Sequence, residues 1–334
     1  MASAPGSLKL FGEHAVVYNR LGLSAAFDRR ASCKLVKSKN DITISLQDFR
    51  RKGSFKFNEV LDTYTGLKGM IEKGDMQALA KARQDIFSPY KMILGEFFCE
   101  FGFTPVSISI RSQVPRNSGL GSSAAVFSSL SAELNNSFKA GLGKKQLAEL
   151  SNLGDKVVHG NPSGLDANTC TFGGFISYRR EEGPKPLKIK AEVPMLVVNT
   201  GSQKDTGEMI RRVAERYGKN RKQVDGIFDR MEETAMSGIR ALKSSDLKLL
   251  GENMNIAQEC FSGLGLSTPE IDKITDTALK NGALGAKITG AGGGGCVVIL
   301  ARKPKEFISI YKRMGYDSFE TVLGVEGAGN TKGE

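Results

Sequence analysis

Three short stretches hold residues able to do chemistry. In "GLGSSAAV", Gly119 and Gly121 stand with Ser122 and Ser123 before an Ala- and Ser-rich run. Glycines so placed let backbone N–H groups approach an anion closely. A helix starting directly behind them aims its positive end at the same point. The serine hydroxyls are hard oxygen donors of the kind Mg²⁺ accepts. The loop therefore reads as a phosphate cradle, although no Lys follows the second glycine as in G-x-x-x-x-G-K-[ST]. A Ser N-cap on an Ala/Ser helix would explain the same string without a ligand.

The second stretch, "VVHGNPSGLDANTCTFGG", carries Asp166 in a Gly- and Pro-containing loop, where a turn is the plainest use of an Asp. The helix before it sets Asp155 and His159 one turn apart on one face. A carboxylate there could complete a Mg²⁺ site with a Ser hydroxyl. The third stretch, "KITGAGGGGCVVIL", is a second glycine nest ahead of a strand. Ordering Gly292 to Gly295 costs so much backbone entropy that an ordinary hairpin is a poor explanation. The chain has only two histidines, His14 and His159, and both fall in unusual stretches, "GEHAVVY" and "HGNPSGLD". That favours a role lining a site over simple packing.

These residues need elements to hold them. "LKLFGEHAVVY" and "SCKLVKS" read as strands around a turn, and "DITISL" and "VSISIRS" alternate apolar and polar residues as half-buried strands do. Gly66 to Glu100 is charged and broadly helical, with a break at Ser88-Pro89. "SSAAVFSSLSAELNNSF" and "KKQLAELSNLGDKVVHG" read as helices, the first small enough in its side chains to lie close on a sheet. The texture changes after "CTFGGFISYRREEGPKPLKIKAEVP", a charged, Pro-containing segment that marks a domain boundary. Beyond it "MLVVNTG" and "GCVVILAR" are strands among four helices, an α+β pattern. The tail "GVEGAGNTKGE" is expected to fray.

A chain of 334 residues points to two domains. With 40% hydrophobic and 25% charged residues it has ordinary globular composition. No apolar run approaches the roughly 18 residues of a membrane helix. The opening residues reach Glu13 and His14 before any long apolar stretch, unlike a signal peptide. Five cysteines, none at C-x-x-C spacing, fit free thiols in a reducing cytosol. The net charge of +11 would suit a nucleic-acid binder or an enzyme of anionic substrates. The cations are spread along the chain without interleaved aromatics, which disfavours nucleic acid.

With these residues in view, the chain resembles the GHMP kinases. "P-x-x-x-G-L-G-S-S-A-A" is similar to their central signature and "KITGAGGGGC" to their C-terminal motif. "APGSLKLFGEHAVVY", "HGNPSGLD", "NTGSQKDTGEMIRRV" and "MNIAQECFSGLGLSTPEID" resemble the branch of that superfamily that phosphorylates mevalonate. The resemblance runs from Ala4 to about Leu300 and is weak over Gly66–Tyr90.

The resemblance implies an α/β (α+β) fold of two domains. Residues 1–187 would be like ribosomal S5 domain 2 and residues 188–334 ferredoxin-like, with ATP and substrate between them. The reaction implied moves the γ-phosphate of ATP to the 5-hydroxyl of mevalonate, with Mg²⁺ as cofactor. Another small-molecule kinase of the superfamily, phosphomevalonate kinase above all, and a non-catalytic nucleotide-binding relative are the alternatives. No nucleic acid or membrane partner is implied; homodimers are common in the superfamily.

Carried over residue by residue, Pro115, Gly119, Leu120, Gly121, Ser122, Ser123 and Ala124 would bind the nucleotide. Ser122 or Ser123 would ligate Mg²⁺ with Asp155, which stands where the family has Glu and reaches one methylene less. Asp166 would be the catalytic carboxylate. Glu13, His14, His159, Thr206, Gly292 and Gly293 would line the substrate site with Asp166. The family's A-P-G-K motif is departed from at Ser7. Lys9, two residues on, faces the same side of a strand about 6.6 Å away. It is therefore expected to reach back and supply the missing charge as a catalytic residue.

Overall fold

The computed structural model describes residues 1–116, 118–202 and 206–331, without the side chain of Thr206. The first half runs β1 (Ala2–Phe11), a 3₁₀ turn (Ala15–Tyr18), β2 (Gly22–Lys37), β3 (Ile42–Leu46), β4 (Arg51–Phe55), α1 (Phe57–Lys73), α2 (Met76–Ala82), α3 (Ser88–Phe101), β5 (Val106–Ser112), α4 (Ser122–Phe138), α5 (Lys144–His159), α6 (Leu165–Phe172), β6 (Phe175–Arg179) and β7 (Gly183–Leu187). The second half runs β8 (Val193–Asn199), α7 (Thr206–Lys219), α8 (Arg221–Ser244), α9 (Leu247–Gly263), α10 (Pro269–Lys280), β9 (Gly285–Thr289), β10 (Cys296–Leu300), α11 (Lys305–Arg313), β11 (Asp317–Leu323) and β12 (Gly329–Asn330).

Among the described residues the strands join one sheet in the order β4-β3-β5-β2-β11-β8-β10-β9, with β1 and β6 also on β2. The long β2 is the spine. Its first part pairs with β1 and β6, and its second part with β5. Two short pairings, Leu323 of β11 with Phe27 and β12 with β1, join the sheet to the second half.

The strand patterns follow from what covers each face. In β3, Ile42, Ile44 and Leu46 are buried while Thr43 and Ser45 are not, so the sequence alternates. In β8, Met195 and Val197 enter the main core while Leu196 and Val198 enter a second one. Strand β10 divides in the same way. Burial on both faces is why these two strands read as unbroken apolar runs. Each large aliphatic side chain so buried contributes about 1.5–3 kcal/mol.

The charged Gly66–Glu100 segment forms parts of three helices, with a break at Gly74 besides the one expected near Ser88-Pro89. Gly74 ends α1 in a left-handed conformation, and Asp75 caps α2 through the N–H of Ala78. Pro89 lies in the first turn of α3, where its missing N–H costs nothing.

The tail differs from the frayed end expected. Its β12 pairs with β1, and Ala328 N–H donates to the Cys170 carbonyl at the end of α6. Arg30 donates to the carbonyls of Glu326 and Gly327, and Lys144 to those of Ala328 and Thr171. Cationic side chains thus satisfy a strap of backbone that a sheet does not. Residues 332–334 lie outside the described residues.

Candidate active site

The glycine loop lies flat on β1. Ser7 N–H donates to the Leu120 carbonyl at 3.1 Å. Gly121 has φ +65°, and a Cβ there would stand 2.3 Å from Ser7 Oγ. Only glycine satisfies both constraints. Helix α4 starts directly behind, and no side chain among the described residues caps it. Its first N–H groups are therefore left for a ligand. Pro115, Gly119, Leu120, Gly121, Ser122 and Ser123 all line a cavity of about 890 Å³. Ala124 does not line it: its side chain is fully buried in the core beneath the loop, which leaves only its backbone N–H, in the first turn of α4, towards a ligand.

Asp166 stands in the first turn of α6 and faces the same cavity. Lys9 Nζ donates to both of its carboxylate oxygens, at 2.6 Å to Oδ2, and Ser7 Oγ donates to Oδ1. Burial by itself would raise the Asp166 pKa. The charge and hydrogen bonds of Lys9, with the Ser7 hydroxyl, outweigh it and hold the carboxyl below the usual range. A third of the side chain is exposed, and that part opens into the cavity.

Asp155 is almost fully buried at the inner end of α5. Burial, reinforced by the charge of Asp166, pushes its pKa up to about 7. Ser123 Oγ donates to Asp155 Oδ1 at 2.8 Å and lies 3.3 Å from His159 Nε2. Ser122 Oγ turns away to the Val114 carbonyl at 3.3 Å. His159 lines the cavity, and desolvation lowers its pKa despite Asp166 nearby. This donor set fits Mg²⁺. Ser123 and Asp155 offer hard oxygens, and the carboxylate's charge is unfavourable until a cation arrives. No cluster of three or more His, Cys, Asp or Glu able to cage a metal occurs among the described residues. Mg²⁺ does not need one, because it commonly keeps waters and takes phosphate oxygens.

Glu13 and His14 fall in a second cluster that does not line this cavity. Buried Glu13 pairs with fully buried Lys287 through Oε1 at 2.7 Å, and its Oε2 has no hydrogen-bond partner among the described residues. His14 Nε2 donates to the Ala291 carbonyl at 2.7 Å, which leaves Nδ1 as an acceptor. Desolvation lowers the His14 pKa, so the ring is neutral. Its backbone takes φ +59°, a conformation uncommon outside glycine.

The glycine nest folds beside this cluster, with Gly292, Gly293, Gly294 and Gly295 all at positive φ. Gly293 N–H donates to the Leu266 carbonyl at 2.8 Å. Thr289 Oγ1 donates to the Lys9 carbonyl at 3.0 Å, tying the nest to the strand that carries Lys9. Thr206 opens α7, and its side chain lies outside the described residues.

Three charged residues escaped the sequence reading. Lys287 had a signal, a lone cation inside the apolar strand before the glycines. Arg83 and Arg116 line the 890 Å³ cavity. Arg116 adjoins Pro115, but nothing local distinguishes Arg83 from its charged neighbours.

Two family models match the chain. "GHMP kinases N terminal domain" covers residues 89–174 and "GHMP kinases C terminal" covers residues 239–318. The class defined by this fold and these motifs is the GHMP kinase. Among curated proteins, a mevalonate kinase of Thermococcus sibiricus is 33% identical over 98% of this chain and 97% of its own. One of Archaeoglobus fulgidus is 34% identical over 91% of this chain and 94% of its own. The solved mevalonate kinase of Methanococcus jannaschii superposes with a TM-score of 0.82 at 25% identity, over 97% of this chain and 98% of that one. The chain belongs to the mevalonate kinase family.

Proposed function

We infer that the protein transfers the γ-phosphoryl group of ATP to the 5-hydroxyl of mevalonate, giving mevalonate 5-phosphate and ADP. The observation that carries this reading is the Lys9–Asp166 pair facing the uncapped start of α4 across one cavity. Family membership supports the choice of substrate.

Phosphoryl transfer demands positioning and charge stabilisation more than covalent chemistry. The loop N–H groups of Gly119 to Ser123 hold phosphate oxygens. Asp166, ionised at neutral pH, accepts a hydrogen bond from the substrate hydroxyl and orients it. The hydroxyl is too weak an acid to ionise first. Its proton passes to Asp166 late, as the bond to phosphorus forms. Lys9 fixes the carboxylate and offsets charge on the transferring group. The side chains that would hold Mg²⁺ are Ser123 and Asp155, directly or through a water that spans the shorter Asp. When bound, the ion neutralises charge on the β- and γ-phosphates.

Among the described residues no helix is long and apolar enough to cross a membrane. All five cysteines are free thiols, which suits a reducing cytosol. The test is ADP release with mevalonate or phosphomevalonate as acceptor, with the product read by phosphorus NMR. Mevalonate is expected to be the better acceptor by orders of magnitude. Preference for phosphomevalonate would overturn the reading.

A further inference from the structure

The cradle lacks the lysine of a P-loop, and Lys9 is committed to Asp166. A bound triphosphate still needs cations. Two more reach the cavity from separate elements: Arg83, just past α2, and Arg116, at the entrance of the glycine loop. Arg83 Nη1 donates to the Val158 carbonyl at 3.2 Å, beside cavity-lining His159. That bond fixes the guanidinium and leaves its other N–H groups for a ligand. The Arg116 guanidinium lies over the Phe49 ring, 4.5 Å from its centre. Among the described residues no side chain or carbonyl takes its hydrogen-bonding edge. Neither arginine meets a carboxylate among the described residues, whereas Lys9 does. Arg83 also lies outside both segments matched by the family models.

We propose that Arg83 and Arg116 bind the polyphosphate of the nucleotide, supplying from outside the glycine loop the charge that a P-loop lysine supplies from within. A planar guanidinium forks onto phosphate oxygens in a way an ammonium cannot. Both side chains face solvent, so the attraction is screened by salt. The inference rests on the nucleotide reading of the loop.

The experiment is calorimetric binding of ATP and of adenosine to the full chain and to Arg83→Gln, Arg116→Gln and the double variant, at low and high salt. Each single change is expected to weaken ATP binding roughly five- to tenfold. Adenosine affinity should stay at the wild-type value, which also reports an intact fold. The salt dependence of ATP binding should shrink in the double variant. ATP affinity within twofold of wild type in the double variant would overturn the proposal. So would an unchanged ATP affinity with a raised KM for mevalonate, which would reassign the arginines to the substrate carboxylate. Failure of the wild-type protein to bind ATP would instead sink the nucleotide reading, and this proposal with it.

Discussion

Lys9 Nζ and Asp166 Oδ2 meet at 2.6 Å, although 157 positions separate them in the chain. The cation beside the carboxylate thus comes from the second residue beyond Ser7. Ser7 itself stays in the site through its hydroxyl, which donates to Asp166 Oδ1. Strand β1 presents both residues on one face, and α6 brings the carboxylate up to them.

Replacing Lys9 by Met should lower kcat by about 10² or more, since both its charge and its hold on Asp166 are lost. Lys9→Arg should recover part of the rate. Steady-state kinetics decide, and a kcat near wild type in the Met variant would remove Lys9 from the machinery.

For Asp166→Asn, kcat should fall by about 10²–10⁴, the usual worth of a positioned acid–base group. ATP affinity should survive. Rate and ATP binding measured side by side separate loss of chemistry from loss of fold.

Asp155 offers a pH test in metal-free protein. Burial and Asp166 raise its folded pKa to about 7, above the unfolded value. Between those values the folded chain retains a proton that the unfolded chain has released. Stability on this account falls as pH rises through the window and stays low above it. With EDTA present, Asp155→Asn should therefore raise Tm at pH 8 and change it little at pH 4, while Mg²⁺-dependent turnover drops. A lower Tm for the variant at pH 8 would contradict this.

Gly121→Ala places a methyl group against Ser7 Oγ at a left-handed φ. The expected cost is about 1–3 kcal/mol of stability, with a raised KM for ATP as the loop lifts from β1. Chemical denaturation and ATP titration read the two effects.

Lys287→Met strands the buried Glu13 carboxylate and should cost about 3–5 kcal/mol. Adding Glu13→Gln should restore much of that loss. A double-mutant cycle in denaturant measures the coupling; strictly additive changes would mean that the pair is not coupled.

Sequence alone determined the local devices. Gly119 to Ser123 ahead of a small-residue run fixed a glycine turn leading into a helix start. Alternation in "DITISL" against the unbroken "CVVIL" fixed which strands have one buried face and which have two. The break at Ser88-Pro89 comes from residues whose backbone preferences act over a few positions. Such information is short-ranged, so it survives in the order of residues.

Tertiary structure decided which charges meet. Strand register and the packing of α6 brought Lys9 to Asp166, and the return of β9 set Lys287 against Glu13. The cavity wall gathered Arg83 from a segment whose charges look alike in sequence. Contact between distant residues depends on how whole elements stack, and burial then sets each group's charge. Spacing put Lys9 on the face of Ser7, but it carried neither the Glu13–Lys287 contact nor the place of Arg83.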